Sequence, residues 1–225
     1  MQISKIKNSY CYKSNPVAFK RILRNDVTAK ALKGNKYLLL VSGPSGVGKD
    51  TVMNIVMDRF NKIVTHTTRA MRPGEVDGKS YFFTTVEDFK RGIKNDEFVE
   101  YVSSFGDKYY GTKKETVRKA LDGHKPGLAI VDMDGASSIR KCFKDDPQVN
   151  VVSIFFEPPS TETKSPIEVL KERLQKRGSE TPESIEQRLG RAMREIARKD
   201  EYDAVIAFNN PEEGLKDMKE LLNLK

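Results

Sequence analysis

Between Gly43 and Thr51 the chain reads GPSGVGKDT. Glycines at 43 and 48 with Lys49 behind them fit the loop pattern G-x-x-x-x-G-K, in which backbone N–H groups cradle polyphosphate oxygens. The positive end of a following helix adds to that attraction, and the lysine reaches the β- and γ-phosphates of a nucleoside triphosphate. Gly43, Pro44, Ser45, Gly46, Val47, Gly48 and Lys49 are therefore candidate ATP contacts, together with Asp50 and Thr51. The plain alternative is a glycine-rich turn ahead of an ordinary helix. Asp50 stands where the pattern has serine or threonine, a usual magnesium ligand. A carboxylate in the first helical turn stabilises a helix start by about 0.3–1 kcal/mol. The competing role for Asp50 is a magnesium contact, direct or through water.

Such a loop needs a strand entering it and a helix leaving it. YLLLVS, from Tyr37 to Ser42, is a short apolar run of buried-strand type. Residues 51–60 follow with helical periodicity through Val52, Ile55, Val56 and Phe60. Further apolar runs at 127–132, 151–156 and 204–208 alternate with helical patterns at 136–143, 167–176, 182–199 and 211–223. That alternation predicts an α/β fold of phosphate-binding-loop type, with a parallel sheet flanked by helices on both faces. Two segments break it. Residues 64–118 mix short strands, turns and aromatics and predict an inserted lobe. Residues 160–195 are polar and arginine-rich and predict a mobile lid. Ligands of open parallel sheets bind beyond the carboxyl ends of the strands, where both segments emerge.

The first 36 residues differ. No Asp or Glu occurs before Asp26, whereas Lys5, Lys7, Lys13, Lys20, Arg21 and Arg24 do. Asn15-Pro16 predicts a helix start and Gly34 a stop, with Phe19, Ile22, Leu23 and Val27 at helical spacing. The expectation is a basic amphipathic extension over 1–36 attached to a domain over 37–225. A cleaved organelle-targeting segment is the alternative. The chain has 225 residues, 37% hydrophobic and 32% charged, enough for a core in one domain with small lobes. No run of about 18 apolar residues predicts a membrane span. Cys11 and Cys142 form no C-x-x-C pair and read as free thiols of a reducing, cytoplasmic compartment. A net charge of +8 favours anionic partners. The basic residues are spread along the chain without a nucleic-acid motif, which points to small phosphorylated ligands.

The acceptor signal lies in THTTRAMRPGEVDGKSYFF, from Thr65 to Phe83. With FVEY (98–101), YYGT (109–112), FFEPPS (155–160) and RGSETPESIEQRL (177–189), it resembles the guanylate kinase family over roughly residues 37–210. The resemblance implies transfer of a phosphoryl group from ATP, with Mg²⁺, to GMP, and dGMP as a further acceptor. It implies that Arg69, Arg72, Tyr81 and Tyr110 hold the GMP phosphate. Thr65, Glu100, Thr112 and Asp132 would read guanine and its neighbourhood, and Arg177 and Arg188 would close over the phosphates from the lid. Lys49, Arg72, Arg177 and Arg188 are the implied catalytic set. Thr51, Asp50 and, through water, Asp132 are the candidate magnesium residues. A monomer or homodimer is expected. The chemistry agrees: two arginines three residues apart can fork onto one phosphate. A carboxylate at 100 can accept from guanine N1–H and its exocyclic amine, a donor pair that adenine lacks. His66 is assigned a structural role.

The chain leaves the family pattern in places. IVDMDGA (130–136) keeps one acid as Asp132, but Ile130 replaces another and Asp134 replaces a glutamine. One residue is added between Glu100 and Tyr110, and TETKSP lengthens the lid entrance. Phe208 falls where an adenine-contacting asparagine is usual, so Asn209 or Asn210 would take that role, with Asn209 the candidate ATP contact. Thr51 preserves a G-K-x-T pattern despite Asp50. Two other readings remain: a ribose 1,5-bisphosphate phosphokinase of the same fold, and a non-catalytic guanylate-kinase-like binding module. Arg72, Tyr81, Glu100 and Tyr110 speak against the first, and Lys49, Arg177 and Arg188 against the second.

Overall fold

The computed structural model describes residues 22–23, 37–104, 108–178, 181–222 and 224. The larger sheet contains β1 (Ile22–Leu23), β2 (Tyr37–Ser42), β3 (Asn61–Lys62), β8 (Gly127–Ile130), β9 (Asn150–Glu157) and β10 (Ala204–Ala207). Their spatial order is β1-β10-β9-β2-β8-β3, with every pairing parallel except the antiparallel one between β1 and β10. Ile22 and Leu23 were expected inside the amino-terminal helix. They are instead extended, because β10 would otherwise leave its edge unpaired. The rest of the expectation for residues 1–36 lies outside the described residues.

Every residue of β2 is buried. Leu39 and Val41 face one layer of helices, where Val52, Met53 and Val56 of α1 (Lys49–Val56) meet Met218, Leu221 and Leu222 of α7 (Pro211–Leu222). Leu38 and Leu40 face the other layer. There Val117, Ala120 and Leu121 of α3 (Lys114–Leu121) meet Met133, Ala136 and Ile139 of α4 (Met133–Cys142). A strand apolar on both sides is what a parallel sheet between two helical layers requires.

The inserted lobe is a second sheet of four strands in the order β5-β4-β7-β6. Its members are β4 (His66–Thr67), β5 (Phe82–Phe83), β6 (Phe98–Ser104) and β7 (Lys108–Lys113). Helix α2 (Val86–Lys94) covers it, capped by Thr85 accepting from the Asp88 amide. Phe89 stacks on Phe98 at 4.3 Å and lies 5.3 Å from Tyr109, so an aromatic core of its own holds this small unit together.

The lid consists of the two helices expected at 167–176 and 182–199, α5 (Pro166–Arg177) and α6 (Pro182–Ala197). Ser165 and Glu168 form a capping box at the start of α5, and Thr181 caps α6 ahead of Pro182. Leu170, Leu174, Ile185, Leu189 and Ala192 form a core separate from the other two. The segment reads as polar because only this narrow inner stripe is apolar.

Candidate active site

The loop between β2 and α1 is shaped by its glycines. Gly43 has φ 145°, and a Cβ there would sit 2.2 Å from the Phe156 carbonyl oxygen, so no side chain fits. Gly46 (φ 90°) lies against Leu174 of α5, and a Cβ would stand 2.8 Å from that side chain. The lid helix thus rests directly on the loop. Behind it, Asp50 falls in the first turn of α1.

The Lys49 ammonium curls back into the loop and donates to the carbonyls of Gly43 and, at 3.1 Å, Pro44. Burial lowers its pKa below the ordinary lysine value. Asp50 and Glu195 oppose that shift, and Arg191 adds to it. The loop, Ile130–Asp132 and the lid enclose a cavity of about 850 Å³. Among its lining residues are Ser45, Lys49, Asp50, Thr51, Asp132, Arg173, Arg188, Arg191 and Glu195. Gly43, Gly46 and Gly48 also line it. Arg188 of α6 donates to the Ser45 hydroxyl, so this lid arginine reaches the loop.

Asp132 is the N-cap of α4. One oxygen accepts from the Gly135 amide at 2.9 Å, and the other accepts from Arg191 at 3.0 Å. The Arg191 Nε–H goes to Glu195 at 2.9 Å. The cap gives Asp132 a structural duty beside any chemical one, and its carboxylate still opens on the cavity.

On the inserted lobe, Glu100, Tyr110 and Thr112 share one face of the β6–β7 pair, where Glu100 is opposite Thr112 and Val102 opposite Tyr110. An irregularity between Phe98 and Glu100 sets this register. The Thr112 hydroxyl donates to Glu100 at 2.6 Å. Burial raises the Glu100 pKa, with Asp132 adding repulsion, and the Thr112 bond acts against both. Arg69, 9% exposed, donates through Nη1 and Nη2 to the two oxygens of Glu75 at 3.0 and 2.6 Å, and Nη1 also donates to the Ala70 carbonyl. Its guanidinium lies 5.4 Å from the Tyr81 ring centroid, and Tyr81 is 6.0 Å from Tyr110 edge-on. Arg72 is exposed on the same loop, with its backbone N–H bonded to Glu75 at 2.7 Å. Thr65 stands just before β4, where its carbonyl accepts from the Phe82 amide.

Two expected contacts stay apart. Asn209 follows β10 on the surface, with its side chain bonded to Glu213, and it does not line the cavity. Asn210 accepts the Glu213 amide and so caps α7. Phe208 is buried edge-on against Phe156. Arg177 ends α5, and its side chain lies outside the described residues.

The sequence does not single out two of the site residues, Arg173 and Glu75. Arg173 of α5 donates to the carbonyls of Val47 (2.9 Å), Phe208 (3.2 Å) and Asn209 (2.9 Å), tying lid, loop and sheet together. Its spacing of four residues from Arg177, about one helical turn, is the available signal. Glu75 holds Arg69 from within the very stretch that carries the acceptor motif. Arg191 falls on the Arg188 face of α6 by its spacing, but its bond to Asp132 depends on the fold. Among the described residues no group of three or more His, Cys, Asp or Glu side chains could hold a metal by itself.

A phosphate-binding loop under a helical lid, beside a lobe bearing a buried carboxylate and paired arginines, defines an α/β phosphotransferase with two substrate sites. Comparison with known proteins narrows the class. Residues 35–225 match the family model for guanylate kinase. The guanylate kinase of Clostridium perfringens (strain SM101) is 39% identical over 197 residues, covering 86% of each chain. That of Maricaulis maris is 38% identical over 189 residues, 83% of this chain and 82% of the relative. The crystal structure of guanylate kinase from Anaplasma phagocytophilum superposes with a TM-score of 0.62 at 30% identity, covering 86% and 87% of the two chains. The chain belongs to the guanylate kinase family.

Proposed function

We propose that this protein transfers the γ-phosphoryl group of ATP to GMP, giving ADP and GDP, with dGMP as a second acceptor. The observation that carries the reading is the single cavity shared by Lys49, Asp132 and Arg188. It is supported by the Glu100–Thr112 pair on the adjoining lobe.

The loop amides and Lys49 bind and neutralise the triphosphate. Its phosphates are stronger acceptors than the Gly43 and Pro44 carbonyls that Lys49 holds, so the ammonium exchanges partners on binding. Arg188, already against Ser45, takes the other side of the phosphates, and Arg177 enters with it. On the acceptor side, the Glu75 bonds use the distal edge of Arg69. Tyr110 also hydrogen-bonds this side chain, and the Nε–Nη2 edge would take a monophosphate shared with Arg72, Tyr81 and Tyr110. Glu100 accepts from guanine N1–H and the exocyclic amine, Thr112 orients that carboxylate, and Thr65 and Asp132 flank the nucleoside. Phosphoryl transfer asks for alignment and charge neutralisation rather than covalent work, which is what these groups supply.

Magnesium suits this donor set. Thr51 offers a hydroxyl, and Asp50 and Asp132 offer carboxylates, all hard oxygens around one cavity. A magnesium ion is commonly held by one or two such groups plus substrate phosphates and water. Bound there, a magnesium ion would supply neutralisation of the phosphate charge. Asp50 chiefly stabilises the start of α1, and Thr51 with the phosphates carries the metal. Asn209 remains the adenine-side candidate, reachable by rotation away from Glu213.

An ADP-release assay with GMP, AMP, UMP and ribose 1,5-bisphosphate tests the reading. GMP is expected to be turned over well above the others. Equal turnover of AMP would remove the guanine assignment, and ribose 1,5-bisphosphate as sole acceptor would replace it.

A further inference from the structure

We infer that Arg191 is a further catalytic residue of this site, a guanidinium that takes an oxygen of the phosphoryl group in transit. The inference rests on the proposed reaction but names a group beyond the loop lysine and the lid arginines Arg177 and Arg188.

Arg191 follows Arg188 by three residues on α6, so the two side chains leave one face of the helix into one cavity. Its Nε–H and one Nη2–H are bound to Glu195 and Asp132 at 2.9 and 3.0 Å. Those two hydrogens form one side edge of the planar guanidinium. Two acids on different elements therefore fix its plane and turn its Nη1–Nη2 edge outward. The side chain is 59% exposed although it is held at two points, and the surface it exposes lines the cavity.

A purely structural role explains little. The Arg191–Asp132 pair is 59% and 35% exposed, and exposed pairs of this kind contribute about 0–1 kcal/mol. Arg191 also works against a neighbour, because its charge disfavours the Lys49 ammonium. Lys49, Arg173, Arg188 and Arg191 make four cations around one cavity against three carboxylates, Asp50, Asp132 and Glu195. The excess positive charge favours a further anion, and the anion of a phosphotransferase is its phosphate chain. Pre-positioned donors of this type act where charge shifts in the transition state. Ile130 lines the same cavity and adds no acid to the two that hold the guanidinium.

The test compares wild type, Arg191→Ala, Arg191→Met and Arg191→Lys as full chains. The readouts are kcat, the KM values for ATP and GMP, melting temperature, and affinity for a five-phosphate adenosine–guanosine bisubstrate analogue. Expected are a kcat loss of about a hundredfold in the Ala and Met variants and partial rescue by Lys. Both KM values should stay within about threefold and melting should be nearly unchanged, while the analogue is bound at least about tenfold more weakly. A kcat within about twofold of wild type overturns the inference, as does a loss that tracks melting temperature or falls on KM alone. A wild type that turns over a different acceptor would overturn the substrate reading instead. The same variants measured on that acceptor would then decide Arg191.

Discussion

A lysine buried against its own loop carbonyls is costly unless a stronger partner exists, and Lys49 is held that way. Its place at the head of α1 makes sense only with phosphate nearby. Lys49→Ala is expected to lower kcat about a hundredfold or more while the circular dichroism melt stays put, because the helix start keeps Asp50 and the loop keeps its glycines. A variant retaining more than about a tenth of the wild-type rate would show that the loop is not catalytic. Glu100 makes a second, independent case. Thr112 already donates to one of its oxygens, so Glu100→Gln can keep that bond and present an amide N–H where guanine also presents donors. The KM for GMP should rise at least about tenfold with that for ATP nearly constant, as for a site losing one paired polar contact. Equal weakening of both would make Glu100 a structural residue.

At the scale of elements, the lid is the part most independent of the rest. Its core of Leu170, Leu174, Ile185, Leu189 and Ala192 shares no member with the two layers around the sheet. Leu174 is fully buried and is also the side chain that meets Gly46 of the loop. Leu174→Ala is expected to cost the lid about 2–5 kcal/mol. Because that cost falls on a separate cluster, amide exchange in α5 and α6 should quicken far more than in β2 or α4. The KM for ATP should rise with it, since Arg173 and Arg188 reach the loop from these helices. Uniform acceleration across the protein would mean that the lid and the sheet unfold as one unit.

For the whole molecule, His66 couples the inserted lobe to pH. It stacks on Phe82 at 4.8 Å, and its Nδ1 is buried without a hydrogen-bond partner. Burial, followed by the nearby Lys113 charge, pulls its pKa down to about 4. The folded state therefore keeps the ring neutral where the unfolded chain, with an ordinary pKa near 6.5, takes up a proton. Stability is full above about 6.5 and falls as pH drops towards 4. After discounting for partial exposure the loss is on the order of 1–2 kcal/mol. Urea midpoints at pH 7 and pH 5 should differ in wild type, and the difference should shrink in His66→Phe, which keeps the stack. An undiminished difference would place the pH dependence on carboxylates elsewhere.

Local chemistry and periodicity alone determined the loop, the parallel sheet and the inserted lobe. GPSGVGKDT needs its glycines wherever it occurs, and YLLLVS can be buried on both sides only between two helical layers. The family resemblance carried by the acceptor stretch is what points to Arg69, Arg72 and Tyr81. Tertiary structure decided everything that depends on which surfaces meet. It made Ile22–Leu23 a strand, since a free edge on β10 outweighed a helical pattern. It packed the two helices expected after Pro166 onto each other and onto the loop, and separated Asn210, a cap, from Asn209. It brought Arg173, 126 residues along the chain, onto the Val47 carbonyl, and set Arg191 between Asp132 and Glu195. No periodicity encodes such meetings, because a long charged side chain is compatible with many surfaces and its partner is chosen by packing it does not itself direct.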